Sequence, residues 1–263
     1  TQTIPLLTFV LLLTSCGPAP LPAPTETTAA TREPTRTPKP PTATPLPTAS
    51  PTPTSNRSAA FTLVENTVEA RPSASDAYAP ASLGLTFPAG GEARTGEDGR
   101  ARLDLTPDGT IIRLAPNTIF SLPELKEENG EPFTLLELFL GQIYIILTGG
   151  ELQVKTPSGV AAVRGSMLGV SYDHMTGAMT ATCLEGHCSL QNDSGRIELI
   201  AGQAADIRDG IISRDPRPLT NIELQDWLDF TPELKDRPDL LPSLRDRIEN
   251  LPPLPRPRPR PRP

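Results

Sequence analysis

Arg100-Ala101-Arg102-Leu103-Asp104-Leu105-Thr106-Pro107-Asp108-Gly109-Thr110-Ile111-Ile112-Arg113-Leu114 alternates charged and apolar side chains, turns, and returns. A spacing of two puts Ala101, Leu103 and Leu105 on one face of an extended chain and the charges on the other, which is the pattern of a half-buried strand. Pro107-Asp108-Gly109 supplies the turn, with Gly109 free to take positive φ, and Thr110 to Leu114 forms the return strand. The same reading gives strands at 134–140, 142–147, 152–156, 167–172, 178–184, 187–191, 196–200 and 203–207. Helical periodicity is hardly visible between residues 61 and 212. Short strands at intervals of about 8 to 12 residues predict an all-β sandwich, barrel or solenoid.

On either side of this domain the composition changes. The chain has 33 prolines in 263 residues, of which 13 fall in residues 1–60, 8 in 61–210 and 12 in 211–263. Flanks rich in Pro and Thr and poor in apolar residues cannot bury enough surface to offset chain entropy, so they are predicted to be extended or disordered. Between residues 61 and 210 there are 20 acidic and 10 basic side chains, a net charge of -10. A domain this acidic repels phosphate backbones, so no nucleic-acid partner is expected.

Ile4-Pro5-Leu6-Leu7-Thr8-Phe9-Val10-Leu11-Leu12-Leu13 is an apolar run about half as long as a spanning helix needs, which reads as a signal-peptide core. Leu13-Thr14-Ser15-Cys16 follows it and resembles the lipobox of bacterial lipoproteins, which implies a signal peptide over 1–15 and acylation of Cys16. A membrane partner through a lipid anchor is therefore expected, and with it an extracytoplasmic location in the cell envelope. Residues 16–60 then form a Pro/Thr-rich linker. At about 3.1 Å per residue in polyproline II it reaches on the order of 100 Å.

The middle domain also resembles a known family. Gly99 to Leu105 and Asp108 to Leu114, then Thr156-Pro157-Ser158-Gly159-Val160-Ala161-Ala162-Val163-Arg164-Gly165-Ser166, Leu184-Glu185-Gly186 and Ala201-Gly202-Gln203, follow in the order of the FecR domain. Thr156, Pro157, Arg164, Gly165, Ser166, Glu185 and Gly186 carry most of the likeness. The resemblance covers about residues 61–210 and implies an all-β, FecR-like β-helical or sandwich domain outside the cytoplasm. In the best-known members this domain passes a signal from an outer-membrane transporter, through one membrane helix, to a segment that controls a sigma factor. Everything after Cys16 is expected outside the membrane here, so no direct sigma-factor contact is expected. The resemblance implies a non-catalytic sensory or binding module whose partner is an envelope protein or glycan; the alternative is a structural spacer or assembly unit.

Cys183-Leu184-Glu185-Gly186-His187-Cys188 is the most informative local feature. A two-residue hairpin loop at Glu185-Gly186 would set Cys183 opposite Cys188, within disulfide reach. Two free thiols, or a metal site with His187, are the alternatives, and His187 should face away across the strand. No metal or other cofactor is expected. The only histidines are His174 and His187, so a base for nucleophilic catalysis is scarce, and Gly165-Ser166-Met167-Leu168-Gly169 lacks the spacing of a nucleophile elbow. A cell-wall enzyme is the weakest reading. Arg164 should pair with a carboxylate of the domain, and Gly165 should permit a corner or close packing.

Residues 213–263 form a C-terminal arm. Thr220 or Asn221 can cap a helix over 221–230 in which Leu224, Trp227 and Leu228 make an apolar patch, and Pro232 ends it. Trp227 either docks on the β domain or binds a partner. A second short helix is expected at 243–250. Arg256, Arg258, Arg260 and Arg262 alternate with proline to the end of the sequence, a cationic rod that could contact anionic polymer, lipid headgroups or acidic protein.

Overall fold

The computed structural model describes residues 56–237, Leu240 and Pro242. Cys16, the linker before residue 56, the helix expected at 243–250 and Arg256, Arg258, Arg260 and Arg262 lie outside the described residues.

Alternation along β6 (Arg100–Thr106) and β7 (Thr110–Leu114) does bury Leu103, Leu105, Ile112 and Leu114. These residues lie on the inner face of a sheet whose strands run β4 (Thr86–Phe87), β1 (Ser58–Glu65), β6, β7, β9 (Glu131–Ile146), β12 (Met167–Asp173), β13 (Ala178–Glu185) and β16 (Gln203–Arg208). Two short strands, β17 (Ile211–Ile212) and β18 (Arg217–Pro218), complete its far side. The second sheet runs β3 (Ala79–Pro80), β2 (Val68–Arg71), β5 (Glu92–Thr95), β8 (Ile119–Glu128), β9, β10 (Glu151–Thr156), β11 (Gly159–Arg164), β14 (His187–Asn192) and β15 (Gly195–Ile200). Their inner faces share one apolar core. The chain coils through this sandwich, passing strands from one sheet to the other and back.

β9 belongs to both sheets. Its first part pairs with β8 and, in parallel, with β10; its last part pairs with β7 and β12. The sequence pattern suggests two strands, at 134–140 and 142–147, because the buried side changes at the crossing. Gly141, at φ 94°, marks that change without breaking the strand. β8 has no such legible pattern: Pro123 and a run of charges interrupt it, and its ladder slips between Ser121 and Glu124. Phe61 and Phe87 of the first sheet and Phe120 of the second tie the layers together, with ring centroids 5.4 and 5.5 Å apart. Such aromatic pairs contribute about 0.5–1.5 kcal/mol beyond their buried area.

An ion pair secures the domain before the apolar pattern starts at Phe61. Arg57 is buried, and its guanidinium donates to both carboxylate oxygens of Asp108 at 3.0 and 2.9 Å. It also donates to the carbonyls of Lys126 and Phe133 and to the Thr134 hydroxyl. One side chain thus joins the β6–β7 turn to β8 and β9.

Candidate functional site

The family-motif residues fall into two groups at opposite ends of β11. Thr156 and Pro157 form the β10–β11 turn, where the Thr156 hydroxyl accepts from the N–H groups of Ser158 and Gly159 at 3.2 Å each. They line an open groove of about 820 Å³ with Ser158, Gln191, Asn192 and Arg196. At the other end Arg164, Gly165, Ser166, Glu185 and Gly186 come together where the chain changes sheets twice: Gly165-Ser166 leads from β11 to β12, and Gly186 from β13 to β14.

This double corner holds the Cys183–Cys188 disulfide. The expectation of a hairpin is corrected here. β13 pairs with β12 and β16 in the first sheet, whereas β14 pairs with β11 and β15 in the second. Cys183 therefore lies across from Leu168 and Gln203, Cys188 from Val163 and Leu199, and the bond staples the two sheets where the chain crosses between them. A turn from one layer into the other brings the cysteines within 5.8 Å at Cα just as a hairpin would. Oxidised sulfurs are not thiolate ligands, so the metal alternative at Cys183, His187 and Cys188 does not stand. For so small a loop the link contributes roughly 2 kcal/mol on the chain-entropy account.

Gly186 is required there for two reasons. Its φ is 73°, and a Cβ on it would stand 2.4 Å from Ser166 Oγ. Ser166 is buried against it. Arg164 forms an exposed ion pair with Glu131 at 3.1 Å, which contributes little to stability. Glu185 accepts from Arg237 at 2.8 Å and so connects this corner to the C-terminal segment.

That segment covers the outer face of the first sheet. α1 (Asn221–Phe230) starts with a capping box between Thr220 and Glu223, and a short 3₁₀ turn at Pro232–Asp236 follows it. Trp227 is fully buried and so is not a surface open to a partner; the partner-binding reading of this residue is corrected to docking. Its indole N–H donates to Thr182 Oγ1 at 3.1 Å and its ring meets Tyr144 edge-on at 4.9 Å. Gly169 makes the space: a Cβ there would lie 2.5 Å from Thr182 Oγ1 and 3.1 Å from the indole. Tyr144, Met167, Leu184, Leu219, Leu224 and Leu234 complete this second apolar cluster.

Charge holds both ends of the segment. Arg217 bridges Asp206, at 2.8 Å, and Glu223, at 2.6 Å, while Arg102 and Arg113 converge on Glu233. Burial alone would raise the Asp206 and Glu223 carboxyls, but hydrogen bonds led by Arg217 outweigh it and hold both below the ordinary carboxylate value. Asp226 goes the other way, raised by burial and by Asp229. A carboxylate depressed in the folded state contributes stability above its unfolded pKa and loses it as pH falls through the folded one. As pH falls through the ordinary carboxylate range the segment should therefore loosen, with Asp226 partly opposing. The chain has a single tryptophan, so its emission reports this directly. We expect a red shift on acidification, and a shallower dependence in Arg217→Met; an equal slope in that variant would refute the assignment.

Among the described residues, four of the five buried side-chain polar atoms without a hydrogen-bond partner belong to this covering or the face beneath it: Arg113 Nε, Tyr144 OH, Thr231 Oγ1 and Glu233 Oε2. Each such atom costs about 1–3 kcal/mol. That cost offsets part of what the apolar and charged contacts of the segment contribute.

Residues 91–189 match the family model described as FecR protein. This segment is a FecR domain. The match runs from just before β5 to just past Cys188, so it takes in both corners, the disulfide and the groove turn at Thr156. β1 to β4, β15 to β18 and α1 lie outside it, yet β1 pairs with β6 and β16 with β13 within the same sandwich. Two crystal structures of a candidate anti-sigma factor from Parabacteroides distasonis ATCC 8503 are similar in fold, each at 16% identity over 52% of this chain, with TM-scores of 0.45 and 0.44. The chain spans 64% and 63% of their length, less than two thirds. No curated protein matches. No helix among the described residues is long and apolar enough to cross a membrane.

Proposed function

We propose that this FecR domain protein is a lipid-anchored sensory or binding module of the cell envelope, acting by holding a protein or glycan partner and not by catalysis. The FecR match over residues 91–189 carries the reading, because FecR domains work in envelope signalling. The Leu13-Thr14-Ser15-Cys16 lipobox supports the anchor, and the Pro/Thr-rich stretch that follows would hold the domain away from the lipid. On the domain, the open groove beside Pro157 and the double corner at Arg164, Gly165, Glu185 and Gly186 are the surfaces offered to the partner. The Arg-Pro tail adds a cationic contact for anionic envelope polymer.

Two measurements test this. Cys16→Ala should move the protein from the membrane to the soluble fraction, and a variant that still sediments with membranes would defeat the anchor. Cross-linking in intact cells should then capture a defined envelope partner, lost when the exposed Pro157 and Arg164 are each replaced by Glu. Cross-links that survive both replacements would defeat the assignment of these surfaces.

A further inference from the structure

We infer that two copies of this chain pair through the free edge of β15, extending the second sheet across a two-fold axis. Of the strands at the sheet ends, β3, β4, β17 and β18 have two residues each, whereas β15 has six and no proline. A long open edge of this kind is a template for another strand.

The register of the β14–β15 hairpin shows which groups are free. Asn192 and Gly195 face each other across a two-residue turn, so that pair exchanges both of its hydrogen bonds. The pattern then repeats at Leu190 with Ile197 and at Cys188 with Leu199. The N–H and C=O of Arg196 and Glu198 therefore point away from β14. Ile200, next in the outward set, confirms the direction: its N–H donates to the side-chain oxygen of Gln203 at 3.0 Å.

The occupant that fits this edge is the edge itself. Antiparallel pairing centred on Ile197 sets Arg196 against Glu198 of the second copy and Glu198 against Arg196, so opposite charges meet twice and like charges never. Both side chains are on the solvent face, 57% and 65% exposed, and already touch each other within one chain at 2.6 Å. The outward N–H and C=O groups of the two residues in each copy supply four backbone hydrogen bonds. Ile197, buried on the inner face, comes opposite its twin and continues the core.

Sedimentation equilibrium of the full chain carrying Cys16→Ser, at about 100 µM where small interfaces associate, should give the mass of a dimer. Arg196→Glu and Glu198→Arg each place like charges opposite one another and should each return a monomer, and the two together should restore the dimer. Glu198→Pro removes an outward N–H that the β14 ladder does not use. It should give a monomer with unchanged circular dichroism. A monomeric parent chain, a dimer indifferent to the single reversals, or a double reversal that stays monomeric would each overturn the inference.

Discussion

Asp108→Ala is expected to lower the unfolding free energy of the β domain by about 3–5 kcal/mol, the cost of breaking a buried ion pair by removing one partner. The side chains of Arg57 and Asp108 are only 1% and 5% exposed. Burial by itself would raise the Asp108 carboxyl, but bonds from Arg57 and Thr110 more than offset that and hold it below the ordinary value. Truncation leaves the guanidinium in the same dry place with carbonyl and hydroxyl acceptors in place of this carboxylate. The loss should spread across the sandwich, because Arg57 ties the β6–β7 turn to β8 and β9. Chemical denaturation followed by far-ultraviolet circular dichroism measures it. Replacing both partners by apolar residues, Arg57→Met with Asp108→Leu, should cost much less than the single change. A single variant within 1 kcal/mol of the parent would show that the pair is not a structural tie.

Trp227→Ala should have an effect of similar size in a different place. Truncating a fully buried tryptophan typically costs about 3–5 kcal/mol, and a helix of ten residues has little stability of its own to set against that. The C-terminal segment should come away from the outer face while the sandwich, whose core is a separate cluster, stays folded. Limited proteolysis should then cut between residues 219 and 237 in the variant and not in the parent. Gly169→Val is the complementary change. It keeps the tryptophan but fills the notch beneath it, so the same cuts should appear together with a red-shifted emission. Protection of this segment in both variants would mean that its charged contacts, and not Trp227, hold it.

The all-β class was legible from residues 100–114 because β6 has one face in the core and one outside it, so hydrophobicity alternates with the pleat, and Pro107-Asp108-Gly109 then turns the chain back into β7. The FecR motif residues were legible as a string along the sequence, but their separation into two ends was not, since that depends on the length of β11 between them. β8 escaped because a strand that carries a proline, a ladder slip and a charged end has no period to read. The proximity of Cys183 and Cys188 follows from their spacing whether the chain turns within a sheet or between sheets. Only the pairing of β13 and β14 with different neighbours distinguishes the two.

By itself, then, the sequence set out an expected layout: a run that resembles a lipobox and a proline-rich stretch, one acidic domain of short strands with a FecR signature, and a stretch with a capped helix and Arg-Pro repeats. These are properties of composition and local period, which need no partner from elsewhere in the chain. Tertiary structure decided everything that rests on distant pairing. It placed the disulfide between layers, buried Trp227 over Gly169, drew Arg57 into the domain through Asp108, and left the backbone of Arg196 and Glu198 at an open edge. Each of these depends on which strand lies beside which, and the free energy that selects those neighbours is shared among contacts scattered along the whole chain.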